Sequence, residues 1–172
     1  MLLEVEGSAP EVLIHGDFRL DQLLKGSRAW IVTDWEDFGR GDAARDLGCL
    51  VGQWIQRSIL DIVSTPGAET TIDLSHEDVL RRGSEALLSV QPLLERFWCG
   101  YRNERPATDE TLAVRVAAFA GWHLIERMLA SANRSTRVSG LERAAAGIGR
   151  TMLLRPSDFV AVLGTEAVDA AA

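Results

Sequence analysis

Side chains able to handle phosphate chemistry are concentrated in one short part of the sequence. His15-Gly16-Asp17 is followed by Gln22 five residues after the aspartate, and Asp34 comes next. Phosphoryl transfer needs one carboxylate to orient the attacking hydroxyl, and further oxygen ligands to hold Mg²⁺ on the phosphate oxygens. Asp17 is the candidate for the first role, and Gln22 and Asp34 are the candidates for the second.

A β-hairpin is predicted to position these residues. Two short apolar runs, 22–25 and 29–33, are separated by turn residues that begin with Gly26, a pattern typical of a hairpin. Such a hairpin brings Asp34 back over the loop that carries Asp17. The polar, glycine-bearing segment that follows Asp34 is predicted to be a loop over residues 37–42.

The remainder of the chain is predicted to be helical. After Asp42, which is suited to cap a helix, apolar residues recur at steps of three and four. Breakers at 64–71 and at Arg105-Pro106 separate periodic segments, and Pro92 suits the first turn of the helix predicted after it. The predicted helices begin at Asp42 and then cover residues 76–89, 93–102, 109–132 and 141–154, with a surface loop at 64–71.

Three motifs in this order resemble the carboxyl-terminal lobe of the aminoglycoside phosphotransferase and choline kinase superfamily. Its marks are H-G-D-x-x-x-x-N, (I/V)-D-W-E and G-D-P-x-x-D-L, which read HGDFRLDQ, VTDWE and GDAARDL here. The resemblance is close over residues 13–47. It implies an α+β, mostly α fold: a protein-kinase-like carboxyl-terminal lobe with a small β-hairpin packed on four to five helices.

The resemblance also implies a role for each matching residue. Asp17 takes the place of the catalytic aspartate, Gln22 that of the metal-ligating Asn, and Asp34 that of the main Mg²⁺ ligand. Gln also occupies the Asn position in the maltokinase-like branch, and Arg19 replaces a His common in the family. The residues expected to support the site are His15, Arg19, Glu36, Asp42 and Asp46.

The expected organisation is a single domain over residues 1–172. It comprises a catalytic loop at 13–24, a metal loop at 31–47, a helical body at 43–163 and a frayed tail at 164–172. In the family, an amino-terminal lobe that binds ATP precedes the first motif, whereas fourteen residues precede it here. The sequence contains one lysine, Lys25, so we expect the amino-terminal lobe to be absent.

A completing protein chain or a homodimer is therefore expected as the partner. Without the other lobe, apolar residues beside the catalytic loop would be exposed, and large apolar patches usually mark interaction sites. The residues expected near this contact are Leu2, Leu3, Val12 and Leu13.

Composition and charge exclude several classes of function. The 18 basic and 25 acidic residues give a formal net charge of −7, which argues against nucleic acid as a partner. No apolar run is long enough to span a membrane. Cys49 and Cys99 are far apart and are interpreted as buried small side chains in a reducing compartment, so a cytoplasmic location is expected.

Two hypotheses for the function remain open. In the first, the chain is the carboxyl-terminal lobe of a small-molecule kinase that uses ATP and Mg²⁺ to phosphorylate a hydroxyl of a small molecule. In the second, it is an inactive, truncated pseudokinase that serves as a binding or scaffold subunit of a heteromeric biosynthetic enzyme. His123 is interpreted as a core histidine in either case. Four tryptophans are interpreted as core residues: Trp30, Trp54, Trp98 and Trp122.

Overall fold

The computed structural model of the protein describes residues 11–61, 76–105, 109–135 and 137–164. The side chains of residues 76–80 and 82 are not described. The expectations for Leu2 and Leu3, for the loop at 64–71 and for the tail beyond residue 164 lie outside the described residues.

Four short strands form two separate antiparallel pairs. They are β1 (Glu11–Ile14), β2 (Leu23–Lys25), β3 (Trp30–Val32) and β4 (Gly39–Asp42). Strands β2 and β3 form the predicted hairpin, and β1 pairs with β4. The prediction of a loop at 37–42 was therefore wrong over its last four residues, because pairing with β1 makes a strand of a segment with little strand propensity of its own.

Four helices form the body of the described chain: α1 (Ala43–Asp61), α2 (His76–Glu104), α3 (Leu112–Arg134) and α4 (Gly140–Leu154). The two helices predicted at 76–89 and 93–102 are one continuous helix that contains Pro92. Val90, Leu94 and Trp98 are all buried, so one apolar face continues past the proline. None of the described helices combines the length and apolar character required to cross a bilayer.

The core lies where α3 packs between α1 and α4. Its most buried members include Val51, Ile55, Val116 and Leu124. Close packing of α1 on α3 depends on Gly52, where an added Cβ would lie 2.9 Å from the Cβ of His123. The strands and their connections lie at the amino-terminal end of α1 and are held to it by contacts of β1 and β4. This architecture confirms the predicted α+β, mostly α fold.

The expectation for the tryptophans was correct only in part. Trp98 is 1% exposed and belongs to the core, and Trp54 packs against that core. Trp30 is 65% exposed and Trp122 is 38% exposed, although both occur among apolar neighbours in the sequence. Apolar neighbours in the sequence therefore did not determine which tryptophans are buried.

Candidate active site

The catalytic loop is held by a carboxylate on the first turn of α1. Asp46 accepts hydrogen bonds from the backbone N–H of His15 (2.6 Å, to Oδ2) and of Gly16 (2.9 Å, to Oδ1). Both carboxylate oxygens are thus used to fix the backbone directly before Asp17. This geometry agrees with the supporting role predicted for Asp46.

The side chain of His15 joins the catalytic loop to the metal loop. Its Nε2 lies 2.8 Å from the carbonyl oxygen of Thr33, and its Nδ1 lies 3.4 Å from the backbone N of Asp17. A carbonyl oxygen can only accept and a backbone N–H can only donate, so these partners fit the neutral imidazole with the proton on Nε2. The ring also packs 4.8 Å from that of Trp35.

Gly16 allows the backbone to turn into Asp17. Its φ is +91°, in the left-handed region that glycine tolerates. A Cβ at this position would lie 2.4 Å from the carbonyl oxygen of Asp37. Any other residue here would therefore meet both backbone strain and a steric clash.

The amide of Gln22 lies between the two functional carboxylates. Its Nε2 donates to Asp34 Oδ2 (3.0 Å) and to Asp17 Oδ2 (3.4 Å), while its Oε1 accepts from the backbone N–H of Arg19 (3.2 Å). The residue is 4% exposed. The structure thus brings together the three residues that the sequence analysis assigned to catalysis and metal binding.

Asp34 is placed by the end of the hairpin and by an unusual backbone conformation. The Thr33 N–H donates to the Gln22 carbonyl at 3.1 Å, which extends the pairing of β2 and β3. Asp34 then has φ +67° and ψ +53°, and it is the one non-glycine with positive φ among the described residues. Such left-handed residues are often found at functional sites. The exposed Asp34 carboxylate is thereby directed towards Gln22.

The two oxygens of Asp17 have different surroundings. Oδ2 accepts from Gln22 and pairs with Arg19 Nη1 at 3.4 Å. Among the described residues, Oδ1 has one hydrogen-bonding neighbour, the Cys49 Sγ at 3.9 Å. Arg19 also pairs with Asp21. The carboxylate is therefore held through Oδ2, and Oδ1 remains available to accept a hydrogen bond.

A cavity of about 390 Å³ adjoins Asp17. It lies between the catalytic loop and the facing sides of α1 and α3. The residues that line it are Gly16, Asp17, Asp37, Arg45, Cys49, Phe119, Trp122, His123 and Glu126.

The cavity contains a neutral thiol and imidazole pair. Cys49 Sγ lies 3.3 Å from His123 Nδ1. Burial, together with the nearby positive charges of Arg127 and Arg19, lowers the pKa of His123 to about 4. Burial and the negative charge of Asp17 raise the pKa of Cys49 to about 12. Both groups are therefore uncharged at neutral pH, and His123 is the core histidine that the sequence suggested.

A buried ion cluster centred on Arg115 was not predicted from the sequence. Arg115 on α3 donates from Nε to Asp42 Oδ2 at 2.6 Å and from Nη2 to Asp109 Oδ2 at 2.7 Å. Asp42 also accepts from the Ala44 N–H at 2.9 Å, which confirms its predicted capping position. Burial opposes the charge of Arg115, but hydrogen bonds to Asp109 and Asp42 raise its pKa. The hydrogen bond from Arg115 also holds the pKa of Asp109 below its usual value.

Glu36, which was predicted to support the site, is exposed and has no hydrogen bond or ion pair within the described part of the chain. Its supporting role stays a prediction. The expectation that both cysteines are buried was wrong, because Cys99 is exposed and Cys49 is only partly buried.

The oxygen ligands present are suited to Mg²⁺ when phosphate oxygens complete the coordination. Within the described ranges no group of three or more His, Cys, Asp or Glu side chains is arranged for a metal. The Oδ2 atoms of Asp17 and Asp34 nevertheless both lie within 3.4 Å of one nitrogen, that of Gln22, so a small cation there would meet both. Mg²⁺ commonly binds through one or two carboxylates together with water and phosphate.

Comparison with protein-family models gives a match that covers this site. Residues 2–67 match the family model of the phosphotransferase enzyme family (APH), a range that includes all three motifs. No curated protein matches the chain at a significant level. The match confirms, for this part of the chain, the resemblance to the aminoglycoside phosphotransferase-like family that the motifs indicated.

Proposed function

We propose that this protein takes part in ATP-dependent transfer of a phosphoryl group to a hydroxyl of a small molecule, with Asp17 as the residue that orients the hydroxyl. The observation that carries the proposal is the asymmetry of the Asp17 carboxylate. Oδ2 is held by Gln22 and Arg19, and Oδ1 faces Cys49 at the cavity. A hydroxyl in the cavity can therefore donate its hydrogen bond to Oδ1 and hold its oxygen ready for attack.

The cavity beside Asp17 is proposed as the acceptor site. Its volume of about 390 Å³ suits a small molecule. The carboxylates of Asp37 and Glu126 and the guanidinium of Arg45 provide charged contacts, and partial burial raises the pKa of Glu126. His123 and Cys49 offer polar contacts without charge.

Asp34 and Gln22 are proposed to hold Mg²⁺, with ATP as the phosphoryl donor. When bound, the ion would neutralise the charge of the phosphate oxygens. Lys25, the one lysine of the sequence, lies at the end of β2 in the hairpin. The lysine that contacts the nucleotide phosphates in kinases must then come from outside this sequence. We therefore propose that another lobe or a partner chain completes the nucleotide site, or that the protein forms a homodimer.

An apolar groove beside the catalytic loop supports the need for a partner. It has a volume of about 460 Å³ and includes Val12 and Leu13 of β1, with Phe38 and Tyr101. Leu13 is 67% exposed and Phe38 is 50% exposed, and Val12 and Leu13 are two of the residues predicted near a contact. The cytoplasm, where ATP is present and thiols stay reduced, is the compartment that this function requires.

The alternative is an inactive pseudokinase that acts as a scaffold subunit. The observation in its favour is that the amide nitrogen of Gln22, not its oxygen, faces Asp34. A protein without catalytic activity could keep the amide nitrogen of Gln22 against Asp34 permanently. The two functions differ in whether Asp17 and Asp34 are needed for the activity of the assembled protein.

The test compares Asp17→Ala with Asp34→Ala in the assembly that contains the nucleotide-binding lobe. Asp17→Ala should lower kcat by about 10²–10⁴-fold and leave nucleotide affinity nearly unchanged, because it removes a positioned base. Asp34→Ala should also weaken binding of the metal–nucleotide complex. Asp21→Asn is the matched control, because this exposed carboxylate also pairs with Arg19, whereas the amide NH₂ of Gln22 donates to Asp17 and Asp34.

The deciding readout is ADP release with simultaneous measurement of nucleotide affinity. An assembly that performs its biological task unchanged with both substitutions would overturn phosphoryl transfer and leave the scaffold function.

A further inference from the structure

We propose that Gln22 acts as an internal substitute for the cation: in the metal-free protein its amide NH₂ occupies the place between Asp17 and Asp34, and the amide must turn over before its oxygen can face a divalent ion. The identity of the ion rests on the proposed function. The closed arrangement itself rests only on the contacts of Gln22.

The orientation of the Gln22 amide follows from the chemistry of its three partners. The backbone N–H of Arg19 can only donate, and it lies 3.2 Å from Oε1. The ionised carboxylates of Asp17 and Asp34 can only accept, and both lie within 3.4 Å of Nε2. Turning the amide over would place oxygen against both carboxylates and NH₂ against an N–H group, so all three contacts would become repulsive. A cation between the oxygens would relieve the first two contacts.

The length of the Gln22 side chain makes this bridge possible. Gln22 is the third residue of the short 3₁₀ helix Leu20–Gln22, and its side chain reaches back to the N–H of Arg19, the residue that precedes the helix. This is the reciprocal half of a capping box, which is formed by Glu or Gln at that position. Asparagine, one methylene shorter, cannot reach back in the same way and still contact both carboxylates. The family's common Asn would therefore leave the place between the carboxylates open.

The bridge should compete with metal binding. An ion that binds to Asp34 and Gln22 must first break hydrogen bonds between the amide and two carboxylates. Hydrogen bonds to charged groups have a net value that corresponds to an affinity change of about ten- to hundredfold. Wild-type protein should accordingly bind Mn²⁺ more weakly than a variant in which the amide cannot bridge.

The first experiment replaces Gln22 with Met, which has similar volume but no amide, and compares melting temperatures in EDTA and in MnCl₂. Without metal, Gln22→Met should melt about 3–6 °C below wild type, because two neighbouring carboxylates lose their shared donor. MnCl₂ should recover most of this loss while raising the wild-type melting temperature much less. Gln56→Met, at a partly buried glutamine on α1, is the matched control.

The second experiment measures the Mn²⁺ dissociation constant of Gln22→Asn by electron paramagnetic resonance. This variant keeps an amide oxygen but cannot span both carboxylates, so it should bind Mn²⁺ about tenfold more tightly than wild type. Affinity equal to or weaker than that of wild type would overturn the proposal. An unchanged melting temperature of Gln22→Met in EDTA would also overturn it.

These readouts separate the inference from the proposed function. Neither the melting temperature nor Mn²⁺ binding requires ATP, an acceptor or a second lobe. If the assembly transfers no phosphate but Gln22→Asn binds Mn²⁺ more tightly, phosphoryl transfer fails and the bridge stands. Transfer can instead depend on Asp17 while neither the melting temperature of Gln22→Met nor the Mn²⁺ affinity of Gln22→Asn changes as expected. In that case the bridge proposal is wrong and the proposed function stands.

Discussion

Two clusters of charged side chains in this protein have opposite construction, and we call the first the closed cluster and the second the open cluster. In the first, Arg115 and Asp42 are 3% and 5% exposed, and the guanidinium donates from all three nitrogens to Asp42, Asp109 and Thr111. In the second, Asp17 and Asp34 share one amide NH₂, and the Asp34 side chain is exposed.

The contrast separates structural charge from functional charge. A buried carboxylate is tolerated when every strong donor and acceptor around it is paired, and such a cluster then fixes one backbone arrangement. Asp42 ties the end of β4 and the start of α1 to α3 in this way. Carboxylates that are only partly paired beside a cavity can still accept a hydrogen bond from a ligand, as Asp17 Oδ1 can.

The largest expected effect comes from breaking the closed cluster with Arg115→Met. This substitution leaves the buried Asp42 carboxylate without its cation, a change that typically costs about 3–5 kcal/mol of folding free energy. Urea unfolding followed by circular dichroism measures the loss. The matched change in the open cluster, Asp17→Asn, should alter the free energy of unfolding far less.

The double variant Asp42→Asn/Arg115→Met is the control for this prediction. It removes both charges, so it should recover part of the stability that Arg115→Met loses. If Arg115→Met and Asp17→Asn prove equally stable, the division into a closed and an open cluster is wrong.

The open cluster was predictable from sequence, and the closed one was not. Asp17, Gln22 and Asp34 lie within one continuous segment whose turns and hairpin fix their proximity. Arg115 is separated from Asp42 by 73 positions, and no local rule links them. Its one signal was its place between Val114 and Val116 in an apolar run, where a charged residue suggests a buried partner.

The errors in secondary structure share a physical cause with this omission. Residues 39–42 carry two glycines and two charged residues, and they form a strand only because β1 lies beside them. Pro92 lies on the exposed side of α2, while Val90 and Leu94 remain in the core. In both places tertiary packing outweighs the local preference of the chain.

The second prediction, a smaller effect, is that His123 in the cavity beside Asp17 makes the free energy of unfolding depend on pH. His123 has a pKa lowered to about 4 from 6.5, so between these values the unfolded chain binds a proton that the folded protein does not. The free energy of unfolding should therefore fall by up to about 3 kcal/mol as the pH drops from 6.5 towards 4. Above pH 6.5 this residue should contribute no pH dependence.

The His123→Gln variant isolates this contribution, because it cannot take up the proton in either state. Its unfolding free energy should decrease less steeply than that of wild type between pH 6.5 and 4, as measured by chemical denaturation across that range. Parallel curves for the two proteins would mean that the imidazole is not the buried neutral group described here.

The smallest expected effect distinguishes the two cysteines, one beside the open cluster and one remote from it. Burial and the Asp17 carboxylate raise the pKa of Cys49 to about 12 from 9.0, so its reactive thiolate is scarce at neutral pH. Iodoacetamide should modify the Cys99→Ser variant, which retains Cys49, on the order of 10²-fold more slowly than the Cys49→Ser variant, which retains the exposed Cys99. Denaturant should remove the difference, and equal rates in the folded proteins would contradict it. Since Cys49 Sγ lies 3.9 Å from Asp17 Oδ1, a carbamidomethyl group there would occupy the space that the acceptor hydroxyl needs, and modification of Cys49 alone should abolish transfer in the assembled enzyme.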